Sequence, residues 1–150
     1  MKPSDLPRLI AFLKDFEPIK IEIIKRILRT YKEDIISMNV DDQMFEKGID
    51  SLGKQIGEYS PYTVKLKKAK GQRYDHVTGR DTGQMHEKAT VKFGNEKFEI
   101  TSYTNTAKEF TKAFTKDVWG LTPENMKKAA NIVENNFAAY LRILIAEKFK

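Results

Sequence analysis

The sequence predicts an α+β fold, a single domain over residues 1–150 with helices at both termini packed on a small antiparallel β-sheet or hairpin. Three observations predict it. Apolar residues recur three and four apart over residues 1–37 and again over 106–149. Six of the eight glycines fall between Gly48 and Gly83, which concentrates turns in a loop- and hairpin-rich centre, residues 39–103. Strand-like alternation is confined to the end of that centre. No internal repeat or low-complexity linker divides the chain.

The first helix has a start signal. Ser4 or Asp5 offers a side-chain acceptor to the first free amides, and Pro7 suits a first turn that needs no donor from it. Leu6, Leu9, Ile10, Leu13 and Phe16 share a face. Pro18 is expected to break or kink this run, because it removes a donor and restrains Glu17. A second helix is expected through Ile23, Ile24, Ile27, Leu28, Tyr31, Ile35 and Ile36, with Lys25, Arg26, Arg29 and Lys32 on its polar face.

In the centre, Ser60-Pro61 is a cap followed by a first-turn proline, so a short helix is expected to reach Lys70 and stop at Gly71. Thr90 to Tyr103 reads as a hairpin. Val91 and Phe93 alternate with polar residues, Gly94-Asn95 supplies the turn, and Phe98 and Ile100 alternate again. Helical spacing then returns at Ala107 to Val118, where Phe110 and Phe114 lie four apart. Thr122-Pro123-Glu124 combines a cap, a first-turn proline and an acid at the positive end of a helix. Met126, Ala130, Val133, Phe137, Tyr140 and Leu144 follow as a heptad-like seam, adjoined by Ile132, Leu141 and Ile145. Packing on the Ile23–Ile36 helix is its expected use, ahead of an intermolecular coiled coil.

Composition narrows the function classes. Hydrophobic residues make up 40% of the chain, and nine Phe, six Tyr and one Trp are enough apolar mass for a folded core. The absence of cysteine removes disulfides, thiolate metal sites and a cysteine nucleophile together. Residues 1–5 are polar where a signal peptide would turn apolar, and no apolar run is long enough to span a bilayer. A soluble protein made in the cytoplasm, with no membrane contact, is therefore expected. The formal charge of +6 favours an acidic partner, either nucleic acid or protein.

Three constellations have chemistry to offer. Asp81-Thr82-Gly83 is the triplet that carries the carboxylate in aspartic proteases, but Gly79-Arg80 precedes it where a buried strand would be apolar, and an ordinary turn accounts for it. Asp75-His76 with His86, Asp81 and Glu87 offers donors to a divalent cation, as in metal-dependent nucleases, against the plainer reading of exposed loop histidines. Lys65, Lys67, Lys68, Lys70, Arg73 and Arg80 form the densest basic segment, interleaved by Tyr59, Tyr62 and Tyr74 as in single-strand binders. On a helix Lys65 and Lys68 share a face, with Lys67 rotated away from it. The alternative is a solvated helix face or a contact with an acidic subunit. No phosphate cradle, dinucleotide fingerprint or nucleophile elbow is present, so no catalytic residue, cofactor or metal is expected.

One ordered set of residues resembles a known family. Gly53, then Gly57-Glu58-Tyr59-Ser60-Pro61-Tyr62-Thr63, then Lys67 and Gly71, then Asp81-Thr82-Gly83-Gln84-Met85 and a strand pair follow in order. The set is similar to the phage virion morphogenesis and tail-completion (neck) proteins, in which an aromatic and Ser-Pro-x-Thr stretch leads through a Lys-rich segment to a Thr-Gly-x-Leu turn and a hairpin. The likeness spans roughly residues 48 to 103. Asp117-Val118-Trp119-Gly120-Leu121-Thr122 is similar to small proteins encoded by phages and prophages of Bacteroides-like bacteria. Tyr59 stands where the family commonly has Trp, and Met85 where it has Leu.

The resemblance implies a non-enzymatic virion component that acts at the neck or head-proximal end of the tail, as an oligomeric ring. Its implied partners are copies of itself, neck or portal-adaptor and tail-tube subunits, and packaged DNA, and its implied location is the virion. Tyr59, Ser60, Pro61 and Thr63 would set the fold of the central segment, and Asp81, Thr82 and Gly83 the turn feeding the sheet. Lys65, Lys67, Lys68, Lys70, Arg73 and Arg80 would form an interface or face nucleic acid. The alternatives are a DNA- or RNA-binding accessory protein using Lys65 to Arg80 and, less favoured, a metal-dependent nuclease around His76 and His86.

Overall fold

Asp15 and Tyr31 are the two points at which the N-terminal helical sequence breaks in the computed structural model, which describes residues 6–94 and 97–149. Helix α1 spans Leu6–Lys14 and α2 spans Phe16–Thr30. The expected Ser4 or Asp5 cap lies outside the described residues, as do the side chains of Leu6, Leu9 and Leu13. Pro18 does not break the run where it stands. The break comes earlier, at Asp15, and Pro18 sits in the first turn of α2, where a missing N–H breaks no intrahelical bond.

The expected Ile23–Ile36 helix is also two helices. Tyr31 ends α2 with its N–H on the Ile27 carbonyl, and α3 restarts at Lys32–Ser37. From α3 the chain runs directly into a π-helix, Met38–Lys47, in a stretch the sequence assigned to the loop-rich centre. The i→i+5 bonding widens each turn beyond the α-helical ~3.6 residues. Asn39, Val40, Gln43 and Met44 can thus all be buried, four and five apart, before Gly48 terminates the helix at φ 65°.

The remaining elements are α4 (Pro61–Ala69), α5 (Gln84–Glu87), β1 (Ala89–Phe93), β2 (Phe98–Ser102), α6 (Asn105–Ala113), a 3-10 turn (Lys116–Val118) and α7 (Pro123–Lys148). The chain is α+β, with helices at both ends and one two-stranded antiparallel sheet between them. Val91 pairs with Ile100 in that sheet and both are buried, while the neighbouring pair Lys92 and Glu99 is exposed. Gly94 N–H donates to the Lys97 carbonyl at 2.7 Å across the turn, and the expected turn residue Asn95 lies outside the described residues.

The chain divides into two compact units, residues 1–31 with 128–150 and Lys32–Lys127. In the first, Ile19, Ile23 and Ile27 of α2 form an i, i+4, i+8 stripe against Val133, Phe137, Tyr140, Leu141 and Leu144 of α7. Arg26 meets Glu147, Thr30 meets Tyr140, and Tyr31 meets Asn136, so the two helices run antiparallel. The seam therefore packs on α2 within this unit. Met126 and Ala130, its first two expected members, are exposed, and Ala129 is buried instead.

In the second unit, Met44, Ile56, Val77, Met85, Ala107 and Val118 form the core, with Tyr59, Phe110, Phe114 and Trp119 packed against it. A buried amide network joins the π-helix to the segment after the 3-10 turn. Asn39 Nδ2 donates to the Val118 and Gly120 carbonyls, and Gln43 Nε2 donates to Gly120. Gln43 Oε1 accepts from Thr122 N–H and from Asn125 Nδ2. No described helix is long and apolar enough to cross a membrane.

Candidate functional site

Ser60, Pro61 and Thr63 start helix α4 as a cap should. Ser60 Oγ accepts from Thr63 N–H at 3.2 Å, which satisfies one of the free first-turn donors, and Pro61 takes the position that needs no donor. Lys70 caps the other end, and Gly71 turns the chain away at φ 66°. This helix presents Lys65 and Lys68 to solvent and buries Lys67.

The basic segment separates into two groups. Lys67 Nζ donates to the Arg80 carbonyl at 2.8 Å and lies 4.9 Å from the centre of the Tyr59 ring. Lys70 pairs with Asp81 at 2.9 Å. Arg73 is spent on Glu46, Asp75 and the Phe45 carbonyl. Arg80 places its guanidinium 5.0 Å from the centre of the Phe45 ring, and Lys68 sits 4.8 Å from the Tyr74 ring. Lys65 is solvated. Lys67, Lys70 and Arg73 are thus engaged within the chain.

Tyr59 and Thr78 are the hinge of this arrangement. Thr78 N–H donates to the Tyr59 hydroxyl at 2.9 Å, and the two hydroxyls lie 3.1 Å apart. Thr78 Oγ1 in turn accepts from Arg80 N–H at 3.2 Å. Asp81 accepts from Lys70 and from Gln72 Nε2, and those two bonds hold its carboxyl below the usual carboxylate range. Thr82 Oγ1 accepts from Gln84 N–H, and Gly83 at φ 87° starts α5. The Asp81-Thr82-Gly83 triplet is therefore a turn with Asp81 exposed and cation-paired and Gly83 buried, and it leads through α5 into β1.

The two histidines have different fates. His76 is clamped, with Nδ1 3.0 Å from Asp75 Oδ2 and Nε2 2.7 Å from the Phe45 carbonyl. His86 is buried, and neither ring nitrogen finds a hydrogen-bond partner among the described residues. Burial pushes its pKa down, the nearby Arg80 charge adds to that, and Asp41 opposes it. Among the described residues no three His, Asp or Glu side chains gather as a metal site.

Sequence reasoning missed the aromatic side of this region. A groove of about 240 Å³ lies between α4 and α6, with Tyr59, Leu66, Phe110 and Phe114 as its apolar lining and Lys67, Lys70, Arg80 and Asp81 as its polar one. The Phe110 and Phe114 rings lie 4.9 Å apart, and two glycines admit them. A Cβ on Gly57 would approach Phe114 to 2.9 Å, and one on Gly79 would approach Met85 to 2.7 Å and Phe110 to 3.2 Å. The four-residue spacing of the two Phe residues is visible in sequence, but nothing there ties them to Tyr59. No family model, curated protein or solved structure matches the chain.

Proposed function

We propose that the chain is a non-enzymatic structural subunit of a tailed-phage or prophage virion, acting at the neck or head-proximal tail end during assembly as an oligomeric ring. One observation carries this reading. The segments that resemble the virion morphogenesis family come together around α4, which is bonded to the Asp81 turn and to the residues just before it. Tyr59 holds Thr78, Lys67 holds the Arg80 carbonyl, and Lys70 holds Asp81. Residues spent on each other in this way build a scaffold rather than a catalytic centre. The two-stranded sheet supports the same reading, since a strand edge without a further strand can extend a neighbour's sheet.

The test is the native mass of the purified protein at low and at moderate salt. A discrete closed oligomer, stable in both, is the expected result. A chain that is monomeric in both, and missing from purified particles of the encoding phage, overturns the proposal.

A second reading, DNA or RNA binding, is favoured by the open face of α4, where Lys65, Lys68 and Tyr62 are all exposed. Phosphate contacts release counterions, so such binding would weaken steeply as salt rises, whereas a protein interface need not.

A further inference from the structure

Helix α4 is inverted relative to an ordinary amphipathic helix. It buries Lys67 at 7% exposure and leaves Tyr62 at 71% and Leu66 at 43%. Leu66 and Lys67 both line the groove between α4 and α6, so the exposed apolar residue and the buried cation serve one concavity. Its charges are three cations, Lys67, Lys70 and Arg80, against one carboxylate, Asp81. Lys70 and Asp81 neutralise each other across 2.9 Å.

The other two cations make no ion pair among the described residues, although the Lys67 charge helps to hold the Asp81 carboxyl down. The Lys67 ammonium carries three N–H donors and gives one to the Arg80 carbonyl, with the Tyr59 ring beside it. The Arg80 guanidinium lies against Phe45. No carboxylate of the described residues is within ion-pair distance of either. A largely buried ammonium with no carboxylate in contact is incompletely compensated, and a carboxylate delivered from outside would complete its pairing.

We propose that this groove docks a segment of a neighbouring virion subunit by a single aromatic or leucine side chain whose adjacent carboxylate meets Lys67 and Arg80. The inference rests on the assembly role above and gives the chemistry of the partner. The apolar side chain lies against Leu66, Phe110 and Phe114. At about 240 Å³ the groove is smaller than the roughly 300–1,000 Å³ of small-molecule sites, a size suited to a side chain. Nucleic acid fits the groove less well. Lys70 is committed to Asp81 and Arg73 to its own carboxylates, while Lys68 covers one face of Tyr74, which a stacking base would need.

The experiment is an amide NMR titration of the full-length protein with the peptide acetyl-Glu-Glu-Phe-Leu-Glu-Glu-amide. Its lysine counterpart, in which every Glu is replaced, and oligothymidylate are the comparison ligands. The acidic peptide is expected to shift the resonances of Thr63, Leu66, Gly79, Thr106 and Phe110, and the lysine peptide to leave them in place. Leu66→Ser removes an exposed side chain and is expected to weaken binding by about tenfold with the unfolding midpoint unchanged, and Arg80→Gln by a similar factor.

Equal response to both peptides, no shift in the groove, or undiminished binding by Leu66→Ser overturns the proposal. Oligothymidylate shifting these resonances while the acidic peptide does not would replace it with nucleic-acid binding. Native mass reports separately on the assembly role. A closed oligomer that ignores the peptide removes this inference alone, and a monomer that binds it removes the ring alone.

Discussion

Lys67 Nζ and the Arg80 carbonyl oxygen lie 2.8 Å apart, thirteen residues distant in sequence, and this one bond ties helix α4 to the loop that carries the Asp81 turn. Lys65, on the same helix, touches solvent instead. Replacement of Lys67 by Ala is expected to cost about 1–3 kcal/mol, because a part-buried bond to the Arg80 carbonyl loses its charged donor and the Tyr59 ring loses its cation. Lys65→Ala is expected to stay within about 0.5 kcal/mol of the parent. Urea unfolding of both variants measures the difference, and equal effects would remove Lys67 from the scaffold.

Gly79 and Gly71 make a controlled pair. Both are left-handed, at φ 65° and 66°. A Cβ on Gly71 meets nothing within 4 Å, whereas one on Gly79 meets Met85 at 2.7 Å and Phe110 at 3.2 Å. Gly71→Ala is expected to cost about 1 kcal/mol for the backbone conformation alone. Gly79→Ala adds overpacking, for a total of about 2–4 kcal/mol. Thermal or denaturant unfolding distinguishes them, and similar losses would mean that the Met85 and Phe110 side chains yield without cost.

His86 predicts a pH dependence. Its pKa in the folded state is depressed below the ordinary 6.5 by burial, with the Arg80 charge adding to the effect. The unfolded chain therefore takes up a proton near pH 6.5 that the folded chain does not, and stability is expected to fall as pH drops below about 6.5. The depressed carboxyls of Asp75 and Asp81 act in a separate window. Their contribution is present above their ordinary 3.8 and is lost only in stronger acid. Urea midpoints from pH 8 to 5 for the parent and for His86→Leu test the assignment. A parent curve as flat as the variant's would contradict it.

Gln43 predicts a large loss from a residue that looks like surface in sequence. Its amide satisfies Gly120, Thr122 and Asn125 inside the second unit. Gln43→Ala strands at least the Thr122 N–H and opens a cavity, for an expected cost of about 2–4 kcal/mol. Gln55→Ala, at an exposed position, is expected to be near neutral. Chemical denaturation of the two variants is the comparison.

Local signals were legible where a short stretch of chain completes its own hydrogen bonding. Ser60 caps α4 through Thr63, and Thr122 caps α7 through Asn125, whereas the Thr104 cap of α6 was not expected. The hairpin was legible as alternation on either side of Gly94, while the register that pairs Val91 with Ile100 was not. The π-helix was not legible, because Asn39 and Gln43 read as solvent residues until the Val118 and Gly120 carbonyls are placed over them. The breaks at Asp15 and Tyr31 were likewise invisible in a periodicity that runs across both.

The candidate site divides the same way. Its basic residues were visible as a charge run, and the rotation of Lys67 away from Lys65 and Lys68 follows from helical geometry. Which cations are spent internally depends on Asp81, Glu46, Phe45 and the Arg80 carbonyl, all distant along the chain. Periodicity, caps and turns are set by neighbours in sequence, and so the amino-acid order by itself determined the α+β class and the starts of α4 and α7. Burial of polar groups is decided by partners that only folding brings near, and so the tertiary structure alone decided that Lys67 is a buried tie, that His86 is unpartnered, and that Phe110 and Phe114 line a groove.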